Sequence, residues 1–243
     1  MLLLTTHKFL FFKKKEVWFY RGENVEKGSY TTYCYAFENL NGTFEKEIKE
    51  KTTYIDLTAS EEQIFEAVSA TYKYDIRKAS TLNFNCECNT KPDLNTCIET
   101  INVFNKFART KNILPANQAR LQALQKGNNI FISTVSQDGI ALCTHIYIHD
   151  GERVLLLSSF HEDTETDDKI RGMANKLLHW NDITLFKKMQ FKIYDFGGIN
   201  PDKTPGITNF KLSFGGKITE VNNYICVTPI LKPFYKLYRL VFH

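Results

Sequence analysis

The stretch "NIFISTVSQDGIALCTHIYIHDGERVLLLSSF", residues 129–160, decides the fold. Its three extended runs are rich in apolar and β-branched residues and are joined by Gln-Asp-Gly and His-Asp-Gly. Such short Asp-Gly connections let the chain reverse, so the runs predict an antiparallel meander. Beyond it, Ile170, Met173, Ala174, Leu177, Trp180 and Phe186 recur at helical spacing, which predicts one long helix over residues 166–189. "FKIYDFGG", residues 191–198, then reads as a strand. A helix between two strands is a crossover, so this strand is expected to join in parallel and make the sheet mixed, mostly antiparallel.

Working outward toward the N-terminus, "KFLFFKKKEVWFYR" and "SYTTYCYAF" surround a Gly-containing polar turn and predict antiparallel strands, followed by "TTYIDL" as another. Ser60 and Gln63 have capping-box spacing and open a helix expected to run to about Ser80. After the short strand "LNFNCECN", Asp93 caps a helix carrying Cys97, Ile101, Phe104 and Phe107. Pro115 opens a shorter helix that Gly127 closes. "KITEVNNYICVT" is the last strand, and "PILKPFYKLYRLVFH" is an aromatic and basic tail. The class is α/β (α+β), with helices flanking the sheet. The expected organisation is a reduced N-terminal lobe over 1–90 and a main domain over 91–243, or one continuous unit.

The 243 residues are 43% hydrophobic, enough for a sizeable core, which excludes a disordered chain. Thirty-one basic against 27 acidic residues is too even to mark a dedicated nucleic-acid or membrane surface. The opening apolar run is interrupted by His7 and Lys8 and lacks a charged start and a small-residue cleavage site. A cytoplasmic protein is the expectation. Cysteines 34, 86, 88, 97, 143 and 226 are scattered, so reduced, packed thiols are expected and no metal site is read from them or from His145, His149 and His161.

Four stretches, "YDIRKA" at 74–79, "RGMANKLLHW" at 171–180, "YDFGGI" at 194–199 and "FKLSFGG" at 210–216, together resemble the Fem family of peptidoglycan bridge-forming aminoacyltransferases and its acyltransferase relatives. The order of meander, long helix and strand is that of the N-acetyltransferase-like (GNAT) fold on which that family is built. Fem proteins carry two such units, and this chain is too short for two, so the N-terminal one is expected to be reduced.

The resemblance implies an N-acyltransferase acting on an amine of a cell-envelope glycan or peptidoglycan precursor, small-molecule or lipid-linked. Acyl-CoA is favoured as the co-substrate, with aminoacyl-tRNA the alternative donor and no tightly bound cofactor; a catalytically silent binding module is the alternative from another class. Lys211 matches the lysine that the family places beside the acyl carbonyl or donor phosphate. The rival reading for it is a surface lysine. Asp195 fits either a general base or an anchor for the tight turn at Gly197 and Gly198. Tyr194 and Phe210 would flank the substrate; Gly197, Gly198, Gly215 and Gly216 are most economically turn formers, with close backbone approach to substrate, at Gly197 and Gly198, as their value to the chemistry.

For the donor, Lys169, Arg171, Gly172, Ala174 and Asn175 resemble the phosphate-holding turn of acyl-CoA-dependent GNAT proteins. Against this, Glu162, Asp163, Glu165, Asp167 and Asp168 lie immediately upstream. Two outcomes stand: the acidic run folds away and the cations face a pyrophosphate, or the helix start is simply capped. Arg77 and Lys78 fit an anionic acceptor or bland surface charge. His179 and Trp180 recur in the pattern, with packing the preferred role for His179. In the tail, Lys232, Lys236 and Arg239 interleave with Phe234, Tyr235, Tyr238 and Phe242; packing is preferred there over contact with the inner face of a membrane.

Overall fold

The computed structural model describes residues 1–9, 12–162, 166–233 and 235. In chain order its strands are β1 (Leu2–Phe9), β2 (Phe12–Trp18), β3 (Tyr30–Ala36), β4 (Lys46–Asp56), β5 (Asn85–Asn89), β6 (Ile130–Gln137), β7 (Ile140–His149), β8 (Arg153–Phe160), β9 (Ile193–Ile199) and β10 (Lys217–Val227). The α-helices are α1 (Glu61–Ala67), α2 (Ala70–Ala79), α3 (Leu94–Thr110), α4 (Gln118–Lys126), α5 (Asp168–Lys188) and α6 (Pro205–Leu212). Two compact units divide the chain, one of Met1–Lys51 with Glu220–His243 and one of Thr52–Thr219. The boundaries fall inside β4 and β10, whereas the sequence suggests one near residue 90. The reason is that α2 and the end of β4 belong to the core around α5, and Ile55, Leu57 and Ile76 are buried in the same cluster as Leu177 and Phe186.

In the first unit, β1 and β2 form an antiparallel hairpin with Leu2 opposite Trp18, and β3 pairs antiparallel with β10. β2 and β3 are parallel, Lys14 lying opposite Tyr30. The antiparallel pairing expected across residues 19–29 is therefore corrected: that segment is long enough to carry the chain back before β3 begins. Val17, Tyr20, Tyr33, Ala36, Tyr224 and Cys226 close the core. In the tail, Lys232 pairs with Glu45 at 2.7 Å and Tyr235 packs on Tyr30. Phe234, Lys236, Tyr238, Arg239 and Phe242 lie outside the described residues.

In the second unit the strand order is β4-β9-β8-β7-β6-β5. The meander is as its sequence predicts, Asp138 and Gly139 turning at φ 51° and 81° between β6 and β7. α5 crosses over from β8 to β9, and the two strands pair in parallel over Arg153–Leu155 and Ile193–Asp195. This mixed, mostly antiparallel sheet flanked by helices is the GNAT-like arrangement. Phe131, Tyr147, Phe186, Phe191, Tyr194, Phe196 and Phe214 form its aromatic centre.

Two local readings are corrected. The helix opened by the Ser60–Gln63 capping box ends at Val68, whose extended backbone separates α1 from α2; Ser69 N–H donates to Ser213 C=O instead of continuing the turn. α4 starts after Asn117, whose side chain accepts from Arg120 N–H, so the cap and not Pro115 sets the boundary. Pro205–Leu212 forms a further helix, its proline in the first turn where no N–H is needed. Gly215, at φ +79°, follows α6 and passes so close to Ala67 that a Cβ there would sit 2.6 Å from the alanine methyl.

Candidate functional site

Parallel pairing of β8 and β9 stops at Leu155, and the strands diverge. A cleft of about 420 Å³ fills the gap, lined by Leu156–Ser159 of β8, Asn175 and His179 of α5, Phe196 of β9, and Gly206, Ile207, Phe210 and Lys211 of α6. Three of the four family-like stretches thus meet at one cavity. The fourth is tied to them, Asp75 of α2 binding Lys176 of α5 at 2.7 Å while Tyr72 packs on Phe210 and Phe214.

The Lys211 side chain reaches back across the cleft edge, its Nζ donating to the Gly198 carbonyl at 2.6 Å. Burial pulls the ammonium down from 10.5 to about 8, the Asp195 carboxylate opposing the shift. Gly198 is placed for this by Gly197, which turns the chain at φ +78° while its N–H donates to Asp195 Oδ1 at 2.8 Å. The Thr52 hydroxyl donates to the same oxygen, and the Arg153 guanidinium holds the other. Asp195 is fully buried. Burial pushes its carboxyl up while Arg153, Thr52 and the Gly197 amide pull against it. Both its oxygens point into the protein, so its geometry fits the turn anchor of the two sequence-based roles.

A polar network lies beneath the cleft. Asp182 of α5 accepts from the Ser133 hydroxyl at 2.6 Å through Oδ1 and from the Tyr147 hydroxyl at 2.6 Å through Oδ2. Tyr147 Oη lies 2.8 Å from Tyr194 Oη, which lies 2.7 Å from His179 Nδ1. A second branch runs from Asp182 Oδ2 to His145 Nδ1 at 3.0 Å, and from His145 Nε2 to Asn175 Oδ1 at 2.8 Å. Both branches end on residues that line the cleft. Burial, with His145 and Lys211 nearby, holds the His179 imidazole well below its ordinary pKa. Phe196, Phe210 and Phe214 surround its ring at 5.2–5.4 Å. Tyr147 and Tyr194, fully buried beside Asp182, are pushed well above 10 and stay protonated.

Of the residues singled out in the sequence, Lys211, Phe210, Asn175 and His179, the last read there as packing, line the cleft, with Gly198 at its edge through the Lys211 bond. Tyr194 is beneath it, in the hydrogen-bond chain. Arg77 and Lys78 are exposed on α2 and do not line it, Arg77 lying over Phe65. The phosphate-turn residues are drawn into a capped helix: Asp167 accepts from the amides of Lys169 and Ile170 at 2.8 and 3.2 Å. Arg171 binds Asp168 at 2.8 Å and the Thr166 carbonyl at 3.2 Å, Lys169 is exposed, Gly172 lies within α5 and Ala174 is buried. Asp163 and Glu165 lie outside the described residues.

His145, Tyr147, Asp182, Thr52 and Arg153 were not anticipated. A signal existed for some of them, since Asn175, His179 and Asp182 form a polar stripe at helical spacing inside an otherwise apolar face, and alternation puts His145 and Tyr147 on one side of β7. The cysteines are free, and burial raises Cys88 and Cys143 to about 12, which suits packing and not thiolate chemistry. Among the described residues no group of His, Cys, Asp and Glu could hold a metal ion, and no helix is long and apolar enough to cross a membrane.

Residues 89–243 match the model of the FemAB family. The fold is similar to that of FemX, with a TM-score of 0.60 and 13% identity over 77% of this chain and 63% of the FemX chain. It is also similar to the C-terminal domain (DUF2156) of a candidate lysylphosphatidylglycerol synthetase from Agrobacterium fabrum, with a TM-score of 0.52 and 8% identity over 87% of this chain and 72% of that one. Likeness at these identities is one of fold. This chain thus spans under two thirds of the FemX length. No curated protein sequence matches it.

Proposed function

The chain belongs to the FemAB family, and from that premise we propose that it is an acyltransferase forming an amide between an activated acyl ester or thioester and an amine of a cell-envelope precursor. The observation that carries the proposal is the placement of Lys211: a mostly desolvated ammonium in the cleft, held by one backbone carbonyl. When the amine attacks, the carbonyl oxygen gains negative charge, and a positive group already fixed in a low-dielectric cleft stabilises that charge more than it stabilises the neutral ester. The ammonium prevails at pH 7 and fades as the pH rises through about 8.

The donor is better read as an aminoacyl ester, such as aminoacyl-tRNA, than as acyl-CoA held at the start of α5. Asp167 already occupies the first-turn amides that would bind a pyrophosphate, and its charge opposes one. The acceptor we propose is a peptidoglycan-precursor peptide with a free lysine amine, small or lipid-linked. Such a reaction belongs in the cytoplasm, at the inner membrane face where the acceptor is lipid-linked.

The test is a donor panel of acetyl-CoA and a pool of charged tRNA, offered with a lysine-bearing precursor peptide and read by mass spectrometry. Amide-linked aminoacyl adducts that disappear in Lys211→Met are expected. Adducts from acetyl-CoA alone would overturn the donor assignment, and no adduct from either donor, with the protein folded, would overturn the transferase reading in favour of a binding module.

A further inference from the structure

We propose that His179 is the general base of the reaction and that Tyr194, Tyr147 and Asp182 form a proton shuttle behind it. The proposal rests on the transferase reading above and adds an atom-by-atom assignment to it. Its starting point is the direction of the hydrogen bonds. A phenol has one proton to donate, and a carboxylate has none. Asp182 Oδ2 and Tyr147 Oη are 2.6 Å apart, a separation that requires a proton between them, so Tyr147 donates to Asp182. Having given its proton there, Tyr147 can only accept at its other two contacts, 2.9 Å from His145 Nδ1 and 2.8 Å from Tyr194 Oη. Tyr194 therefore donates to Tyr147, and at its 2.7 Å contact with His179 it accepts.

The proton on the neutral His179 ring is thereby assigned to Nδ1. Nε2 keeps its lone pair, makes no hydrogen bond among the described residues, and belongs to a ring that lines the cleft shared with Lys211. This is the orientation a base needs, set by an acidic residue two phenols away. The logic is that of a catalytic triad with its link lengthened.

The groups facing His179 agree with this role. Lys211 comes from α6, His145 from β7 and Tyr194 from β9, and the rings of Phe196, Phe210 and Phe214 pack around the imidazole. Beside an ammonium, an imidazolium would be strongly disfavoured. The shuttle removes that difficulty, because no charge has to rest on His179. As the amine nitrogen bonds to the carbonyl carbon, its proton passes to Nε2; the Nδ1 proton moves to Tyr194, that of Tyr194 to Tyr147, and that of Tyr147 to Asp182. The carbon–oxygen bond to the donor then breaks, its oxygen takes the Nε2 proton, and the chain of hops runs backward. One amide and one alcohol result, and the protein is unchanged.

The first test needs no substrate. In ¹⁵N-labelled protein near neutral pH, the imidazole nitrogens of His179 report the tautomer directly. Nδ1–H is expected, and Nε2–H would overturn the proposal. In Tyr194→Phe the Nδ1 acceptor is lost, so the tautomer should swing toward Nε2–H. In the transfer assay the same variant should lose kcat with KM little changed, by a factor within the range of about 10²–10⁴ that a positioned base supplies. His179→Asn should lose as much. Full kcat in either variant beside an active wild type would overturn the base role even with the tautomer as assigned. A wild type carrying Nδ1–H that transfers nothing would overturn the transferase reading and the base role with it, but leave the hydrogen-bond directions standing.

Discussion

Replacing Lys211 by methionine should make the protein more stable and less active at once. Burial lowers the pKa of the ammonium from 10.5 to about 8. A tenfold change in an ionisation constant corresponds to about 1.4 kcal/mol, so holding the charge in the cleft destabilises the folded chain by about 3 kcal/mol at pH 7. Methionine fills similar space without that penalty, but it gives up the hydrogen bond to Gly198, worth about 1 kcal/mol. A net gain of about 2 kcal/mol at pH 7 is expected. Between pH 8 and 10.5 the unfolded wild-type chain binds more protons than the folded one, so wild-type stability rises through that window and the advantage of the variant disappears above it. Urea unfolding at about pH 7 and about pH 10.5 measures this, with Trp180, packed on Phe65, as the fluorescence reporter in a Trp18→Phe background. Activity should fall by about 10²–10³, as on removal of one oxyanion-stabilising donor. A variant less stable than wild type at neutral pH, or a difference that does not change with pH, would refute the desolvated ammonium on which the argument depends.

Asp195→Ala removes the carboxylate that holds the buried Arg153 guanidinium, and a loss of about 3–5 kcal/mol is expected in the same unfolding assay; Arg153→Met with Asp195→Leu should recover part of it. Gly215→Ala should lose at least about 2 kcal/mol, since it combines a positive φ with a methyl 2.7 Å from the Ala67 carbonyl oxygen, and Ala67→Gly should not rescue it because that oxygen remains. Asp167→Ala should cost about 1 kcal/mol as a lost cap and should raise, not lower, any affinity for CoA in calorimetry, because it frees two helix amides and removes a negative charge. A fall in CoA affinity would mean that the start of α5 binds phosphate through a different arrangement.

The meander, the long helix and the parallel strand were legible because each is set locally, by Asp-Gly turns and by periodic apolar residues. What was not legible was set by distant partners. Val68 looks like part of a continuous helix until Ser213 takes the hydrogen bond of its neighbour Ser69. The lysine stretch gives no clear helical period between its glycine pairs, yet Pro205 opens a helix there. Lys211 was found through the family-like motif, and its motif neighbours came with it to the cleft. The Asp195 ambiguity could be resolved only by Arg153 and Thr52, which lie far away in sequence. The network from Asp182 to His179 was hidden for the same reason, its members coming from β7, α5 and β9.

The phenylalanines around His179 bear on fidelity. An activated ester waiting for an amine is exposed to a competing reaction with the solvent, and a base able to activate an amine can also activate water. On the side of that base covered by Phe196, Phe210 and Phe214 a water molecule finds no side-chain hydrogen-bonding partner, so the competing nucleophile is poorly held on that side. An amine tethered to a larger acceptor arrives with binding contacts of its own. The ring of phenylalanines would then protect the donor from wasteful hydrolysis, without any moving lid.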